Sequence, residues 1–425
     1  MMPNRNIAPP LTPLSVPALL PYQKIMLDNG IEVIYIHDPA QNVFKTDIVF
    51  EAGIYYQSQP LIASTAIHML NEGTRKHHAE AIADLFDYYG AYVDFSCGLN
   101  KAEASLISLN KYACETLSML AEILTESTIP EKELSIFLSH RKQEFLVNNE
   151  KTAYLARKKF SELLFGSQHP YANLISETDY SQVNATIVRE FYHRHINARH
   201  CRIVICGNAD ENVLQTVVSQ FSLLPMPDHI SHFREQPFIP AIPGYYQVKK
   251  SGTVQTSIRM GKSGVRLTDP DYAGFMLLNT ILGGYFGSRL MSNIREDKGY
   301  TYGIHSFNVS MPQGSYWCIA TDVNKEYVEA TIEQIRKEIH LLQTEPVPEE
   351  ELHLVKNFLH GDLLREVDGA FSQADALKHK LNYGLDNRIY TDIIRKINTC
   401  QAEELMQLAR KHLNTEEMYI VTAGL

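Results

Sequence analysis

Apolar residues recur along this chain in two rhythms, and the order of the rhythms is given twice. In the first round "YQKIMLDNGIEVIYIHD" alternates on either side of Asp28-Asn29-Gly30, which predicts a hairpin, because Asn-Gly accepts the backbone of a tight turn. "FKTDIVFEAG" predicts a third strand, and "LIASTAIHMLNEGTRK" and "HAEAIADLFDYYG" carry helical spacing. "AYVDFSCGL" and "EASLISLN" return to strand alternation, residues 112–165 and 182–195 predict long helices, and "HCRIVICGNAD" predicts a buried strand ending in a turn.

Residues 224–243, "LPMPDHISHFREQPFIPAIP", hold five prolines and little periodicity, the mark of a linker. Beyond it the plan restarts. "GYYQVKKSGTVQTSIRMG" reads as paired strands, "DYAGFMLLNTILGG" as an apolar helix, and "YTYGIHSFNVSM" with "GSYWCIATDV" as strands. Helices are expected at 326–343, 347–365 and 370–382, then a shorter one, before the final strand "MYIVTAGL". Tyr22 and Tyr246 open the two rounds, Ile203 and Tyr419 sit in the closing strands, and the two pairs are offset by nearly the same length of chain. This predicts an α+β chain of two homologous lobes from an internal duplication, each a mostly antiparallel sheet packed with helices. The expected organisation is an extended arm over 1–21, an N-terminal lobe over 22–223, the linker, and a C-terminal lobe over 244–425.

Composition narrows the function. Apolar residues make up 44% and charged residues 21%, ordinary globular usage. With 39 basic against 49 acidic residues the formal charge is −10, so no nucleic acid or anionic membrane is expected as a partner. The proline-rich arm holds no signal-like apolar run and no stretch is long enough for a membrane span, so a cytoplasmic location is expected. The six cysteines show no C-x-x-C pair, and those flanking "CRIVICG" fit small apolar fillers rather than disulfides.

The chemistry turns on "STAIHMLNEGT". Positions 64 and 68 lie one helical turn apart, and two histidines so placed can share one zinc ion with a glutamate beside them as base. That needs H-x-x-E-H, and residues 64–68 read Ser-Thr-Ala-Ile-His. The surroundings nonetheless resemble the insulinase, pitrilysin and mitochondrial processing peptidase family of inverted zinc peptidases. The tail "HMLNEGT" is similar to its motif, and Glu144 follows His68 at the spacing of the family's third ligand. "FGSQHPYAN" and "FYHRHINARHCRIVICGNAD" are similar to downstream signatures. Carried over residue by residue, the first histidine ligand falls on Ser64 and the base on Ile67. A serine hydroxyl is a poor zinc ligand and isoleucine accepts no proton, so His68 and Glu144 are expected to be vestigial and no metal is expected on this chain. His77 and His78 offer no spacing that brings them to the same point.

The second half resembles the family more closely, in "GGYFGSRLMSNIREDKGYTYGIHS" over 283–306. There the resemblance implies an Arg/Tyr pair seven residues apart, Arg295 and Tyr302, that hydrogen-bonds substrate backbone across a clam-like chamber. Guanidinium and phenol are donors suited to a carbonyl or its oxyanion. The other reading of the same residues pairs Arg295 with Glu296 or Asp297 and packs Tyr302 in a strand. Some family enzymes divide the work between two chains, and this one resembles the chain without zinc. The resulting expectation is a subunit that supplies Arg295 and Tyr302 to a zinc-bearing homologous partner acting on unstructured peptide. That peptide would lie along an exposed strand edge, for which "AYVDFSCGLN" is a candidate. A homodimer, a structural or peptide-binding role without catalysis, and a self-sufficient peptidase with rearranged ligands are the alternatives.

Overall fold

The computed structural model describes residues 17–40, 42–227 and 236–424. Part of the expected arm (1–16) and part of the expected linker (228–235) lie outside these. The first lobe runs β1 (Tyr22–Met26), β2 (Glu32–His37), β3 (Val43–Phe50), α1 (Ile62–His68), α2 (Ala79–Tyr88), β4 (Tyr92–Cys97) and β5 (Ala102–Leu109). Helices α3 (Ala113–Glu126), α4 (Glu131–Asn149), α5 (Thr152–Phe165), α6 (Asp179–Gln182) and α7 (Ala185–His195) follow, then β6 (Cys201–Gly207) and α8 (Glu211–Phe221). The second lobe runs β7 (Gly244–Val248), β8 (Gln255–Ser263), α9 (Tyr272–Asn279), two π-helical turns (Thr280–Gly284 and Met291–Asp297), β9 (Ile304–Met311) and β10 (Gly314–Asn324). It closes with α10 (Val328–Thr344), α11 (Glu349–Glu366), α12 (Gly369–Leu381), α13 (Arg388–Thr399), α14 (Ala402–His412) and β11 (Tyr419–Ala423).

The sheets are ordered β1-β2-β6-β3-β5-β4 and β7-β11-β8-β10-β9. In each, the lobe's last strand inserts in the middle. β6 pairs parallel with β2 and antiparallel with β3, and β11 does the same between β7 and β8. The pairing expected within "GYYQVKKSGTVQTSIRMG" is therefore corrected: β7 and β8 share a sheet but β11 separates them. By its pairing the counterpart of β7 is β2, and among the described residues the hairpin strand β1 has no equivalent in the second sheet. Upstream of β7 the chain instead lies along the end of α5, where Ile239 and Ala241 donate N–H groups to the carbonyls of Phe165 and Leu163.

Each sheet carries its own lobe's helices on one face and a helix from the other lobe on its opposite face. α12 covers Ile34, Ile36, Val204 and Cys206 of the first sheet with Ala374 and Leu377. α5 covers Cys318, Tyr419 and Val421 of the second with Ala156, Phe160 and Leu164. This double cover explains why β3 is buried at nearly every position, whereas β5 alternates. The cysteines are free thiols, and burial pushes that of Cys206 up to about 12. Among the described residues no helix is long and apolar enough to cross a membrane.

Candidate functional site

Helix α1 is short because its sequence is almost wholly a core plug. Ile62, Ala63, Thr65, Ala66 and Ile67 are buried, and it packs against α7 and the edge strand β4. Only Ser64 and His68 reach outward. The Ser64 hydroxyl donates to the Leu61 carbonyl at 3.1 Å, and His68 Nδ1 donates to the Ser64 carbonyl at 2.7 Å. Phe137 of α4 stacks on the His68 ring, centroids 5.9 Å apart, where a ligating imidazole would want polar neighbours.

Glu144 stands seven residues further along α4, about 10 Å of helical rise beyond Phe137. Its carboxylate accepts from Arg141 at 2.7 Å on the same exposed face. Ile67, at the place of the base, is 1% exposed and faces the core. His77 answers Glu122 at 2.7 Å, and His78 caps α2 by accepting from the Ala81 N–H. These residues do not fit a zinc ion. Among those described, no three His, Cys, Asp or Glu side chains come together in a metal-holding group.

The other candidate pair is brought together. Arg295 rides on the second π-turn, and Tyr302 sits in the tight connection from that turn to β9, where Gly299 supplies a left-handed φ of 67°. Gly283, in the first π-turn, lets the chain pass Ser306 so closely that a Cβ would meet its backbone nitrogen at 2.8 Å. Thr301 pins the connection to β10. Its hydroxyl donates to the Asp322 carbonyl at 2.8 Å and accepts from the Gly303 N–H and the Thr321 hydroxyl.

Tyr302 is consequently 92% exposed. Arg295 makes no ion pair among the described residues and lies over the Phe286 ring at 4.6 Å. Neither packing in a strand nor pairing with Glu296 or Asp297 accounts for them. Both side chains line a cavity of about 1040 Å³, walled also by Gln255, Asp322 and Asn324 and by residues 150–153 of the first lobe. A Lys250–Glu150 ion pair of 2.7 Å joins the lobes at this wall.

Strand β4 is the free edge of the first sheet, paired only with β5 among the described strands. Its counterpart β9 is fenced: Asn308 and Ser310 hydrogen-bond the main chain of Val265 and Leu267. One further group, within the signature "FYHRHINARH", is not among the residues singled out from the sequence. Glu51 accepts from Lys101 at 3.0 Å, with His200 3.6 Å away, and His200 with Lys101 holds its carboxyl down at about 2. Burial holds the neighbouring His195 at about 4, with its Nδ1 on the Glu51 carbonyl. The histidine-rich stretch is the available signal, but nothing local shows that it meets Glu51, which lies in the first half of the lobe.

Two lobes with exchanged helices, a motif helix beside a free sheet edge and an Arg/Tyr pair lining one cavity define the class: a two-lobed scaffold of the peptidase type. Residues 182–359 match the family described as "Peptidase M16 inactive domain". The chain is 22% identical over 399 residues to the "Uncharacterized zinc protease YmxG" of Bacillus subtilis, covering 92% of this chain and 95% of that one. It is 19% identical over 361 residues to the "Non-peptidase homolog YmxG" of Helicobacter pylori, covering 84% and 83%. A crystal structure of a peptidase M16 inactive domain from Pseudomonas fluorescens superimposes with a TM-score of 0.87 at 26% identity, over 95% of this chain and 98% of that one. A protease from Helicobacter pylori does so with 0.85 at 16% identity, over 96% and 100%. Over nearly its whole length the chain is similar to proteins of the peptidase M16 family, some named as proteases and some as inactive or non-peptidase homologues.

Proposed function

We propose that this chain is a peptide-gripping subunit that serves the active site of a zinc-bearing homologue by presenting Arg295 and Tyr302. The observation that carries this reading is the shared cavity: two donors, seven residues apart, face one space, and no carboxylate among the described residues takes either of them. A guanidinium and a phenol held there donate to successive carbonyl oxygens of an extended peptide. As a carbonyl is attacked in the partner's active site, the same donors strengthen their bonds to the forming oxyanion. The free edge of β4, beside α1, supports a track on which peptide adds as a further strand by main-chain pairing.

The test is co-purification with a homologue that retains H-x-x-E-H, assayed on an unstructured peptide. Removing one oxyanion donor costs on the order of 10²- to 10³-fold in kcat, so Arg295→Ala and Tyr302→Phe should each lower turnover at least tenfold. Unchanged turnover in both variants ends the assisting role. Metal analysis of the chain alone should find well below one zinc per chain, and stoichiometric zinc would favour a self-sufficient enzyme. The alternative in which the chain holds peptide without catalysis draws on the β4 edge alone. It predicts peptide binding that survives both substitutions.

A further inference from the structure

The turn that carries Arg295 is a π-helix, a conformation that persists only where its surroundings fix it. Asn293, two residues before Arg295, provides that fixation from both its main chain and its side chain. Its carbonyl accepts the N–H of Lys298, five residues on, at 3.0 Å and closes the π-turn. Its side-chain amide reaches α10, donating to Glu338 at 2.6 Å and to Gln334 at 3.2 Å. Glu338 is only 8% exposed and enters no ion pair among the described residues. A buried carboxylate is costly unless hydrogen-bonded, and the Asn293 amide supplies that bond.

Apolar packing anchors only one side of the turn, where Met291 and Ile294 enter the second core. Behind the turn lies a cavity of about 470 Å³ bordered by Asn293, Lys298, Gln334, Lys337 and Glu338. On the Asn293 side the turn therefore faces open polar space and is held by discrete hydrogen bonds. Further back, the bidentate Arg289–Glu351 pair (2.9 and 2.7 Å) fastens the approach to the turn onto α11.

We infer that Asn293 and Glu338 are positioning residues, which clamp the π-turn to α10 so that the Arg295 guanidinium is delivered to the cavity wall. The inference rests on the reading of Arg295 as a peptide-binding group. It predicts that loss of the clamp weakens peptide binding only through Arg295.

The experiment uses the full chain and two readouts. Amide exchange over residues 289–303 reports the turn, and fluorescence anisotropy of a fluorescein-labelled unstructured peptide reports binding. Asn293→Ala should speed exchange across 289–303 at least tenfold while leaving the sheets protected, and should weaken peptide binding about fivefold, as expected of a group acting through a neighbour. Glu338→Gln keeps an acceptor oxygen and should stay within about twofold of the parent, whereas Glu338→Leu should behave like Asn293→Ala. In an Arg295→Ala background Asn293→Ala should add nothing, because the residue it positions is gone. Unchanged exchange in Asn293→Ala, or an equal loss of binding with and without Arg295, overturns the inference. Should Arg295→Ala itself leave binding intact, the proposed function falls, and the exchange of 289–303 still decides whether Asn293 holds the turn.

Discussion

Ile67 shows at the scale of one residue why the motif cannot be repaired by two substitutions. Position 64 is half-buried at the surface of α1 and tolerates a larger side chain, but position 67 is 1% exposed among the apolar side chains of the first core. A carboxylate there finds no partner and has to be taken up protonated or unpaired, at a cost of several kcal/mol. Ile67→Glu is expected to lower the thermal midpoint by about 10 °C or more while Ser64→His moves it by a few degrees at most, read by circular dichroism. Equal stability of the two variants would mean that the helix can rotate the new side chain outward.

His195 gives a pH signature of the same lobe. Its folded value of about 4 lies below the ordinary 6.5 because burial disfavours the imidazolium. The native state therefore holds fewer protons than the unfolded chain between those values. The stability His195 contributes is complete above pH 6.5 and is lost as pH falls toward 4, at a slope of about 1.4 kcal/mol per pH unit. His195→Gln should be less stable at pH 7 yet flatter between pH 6.5 and 4 in urea titrations. An unaltered slope would assign the titration to other groups.

At the scale of elements, what is legible in the sequence follows contact distance along the chain. The β1–β2 hairpin is readable because Asp28-Asn29-Gly30 lies between its strands, and α10, α11 and α12 because their apolar spacing is continuous. The long pattern over 112–165 resolves into α3, α4 and α5, broken where Pro130 and Lys151 take extended backbone. Helix α8 escapes the periodicity reading although Asp210 caps it, accepting from the Val213 N–H at 3.0 Å, because the lobe's pattern already closes on β6 ahead of it. The final segment likewise holds two helices, α13 and α14, where the spacing predicts one. The placement of β6 and β11 inside their sheets is out of reach of any local pattern. It is set by pairing with β2 and β3 in one case and with β7 and β8 in the other, strands at the far end of each lobe's sequence. The same holds for the candidate site. Arg295 and Tyr302 are visible through their spacing in a matched stretch, while the wall that faces them, at 150–153, comes from the other lobe.

At the scale of the molecule, the exchanged helices weld the lobes by different physics on the two sides. α5 meets the second sheet through apolar and aromatic side chains such as Phe160, Leu164 and Tyr316. α12 adds charge to its apolar cover of the first. Lys378 pairs with Asp47 at 2.8 Å and with Glu103, and Lys45 bridges Asp47 and Asp375 at 3.2 and 2.7 Å. Burial pulls the Lys378 ammonium down, but Asp47 and Glu103 outweigh it and hold it above its ordinary value. Burial and Asp47 together raise the Glu103 carboxyl, so this cluster depends on each of its cations. Asp47 is 1% exposed and, without Lys378, shares Lys45 with Asp375 while Glu103 loses its partner. Breaking a buried pair by removing one side costs about 3–5 kcal/mol, whereas replacing both sides with neutral groups costs far less. Lys378→Met should therefore destabilise the chain strongly in denaturant titration, and Lys378→Met combined with Asp47→Asn and Glu103→Gln should recover most of the loss. Because these charges are sheltered, raising salt from about 0.1 to about 0.5 M should change the parent's stability little. A Lys378→Met variant as stable as the parent would show that α12 is held on the first sheet by Ala374 and Leu377 alone.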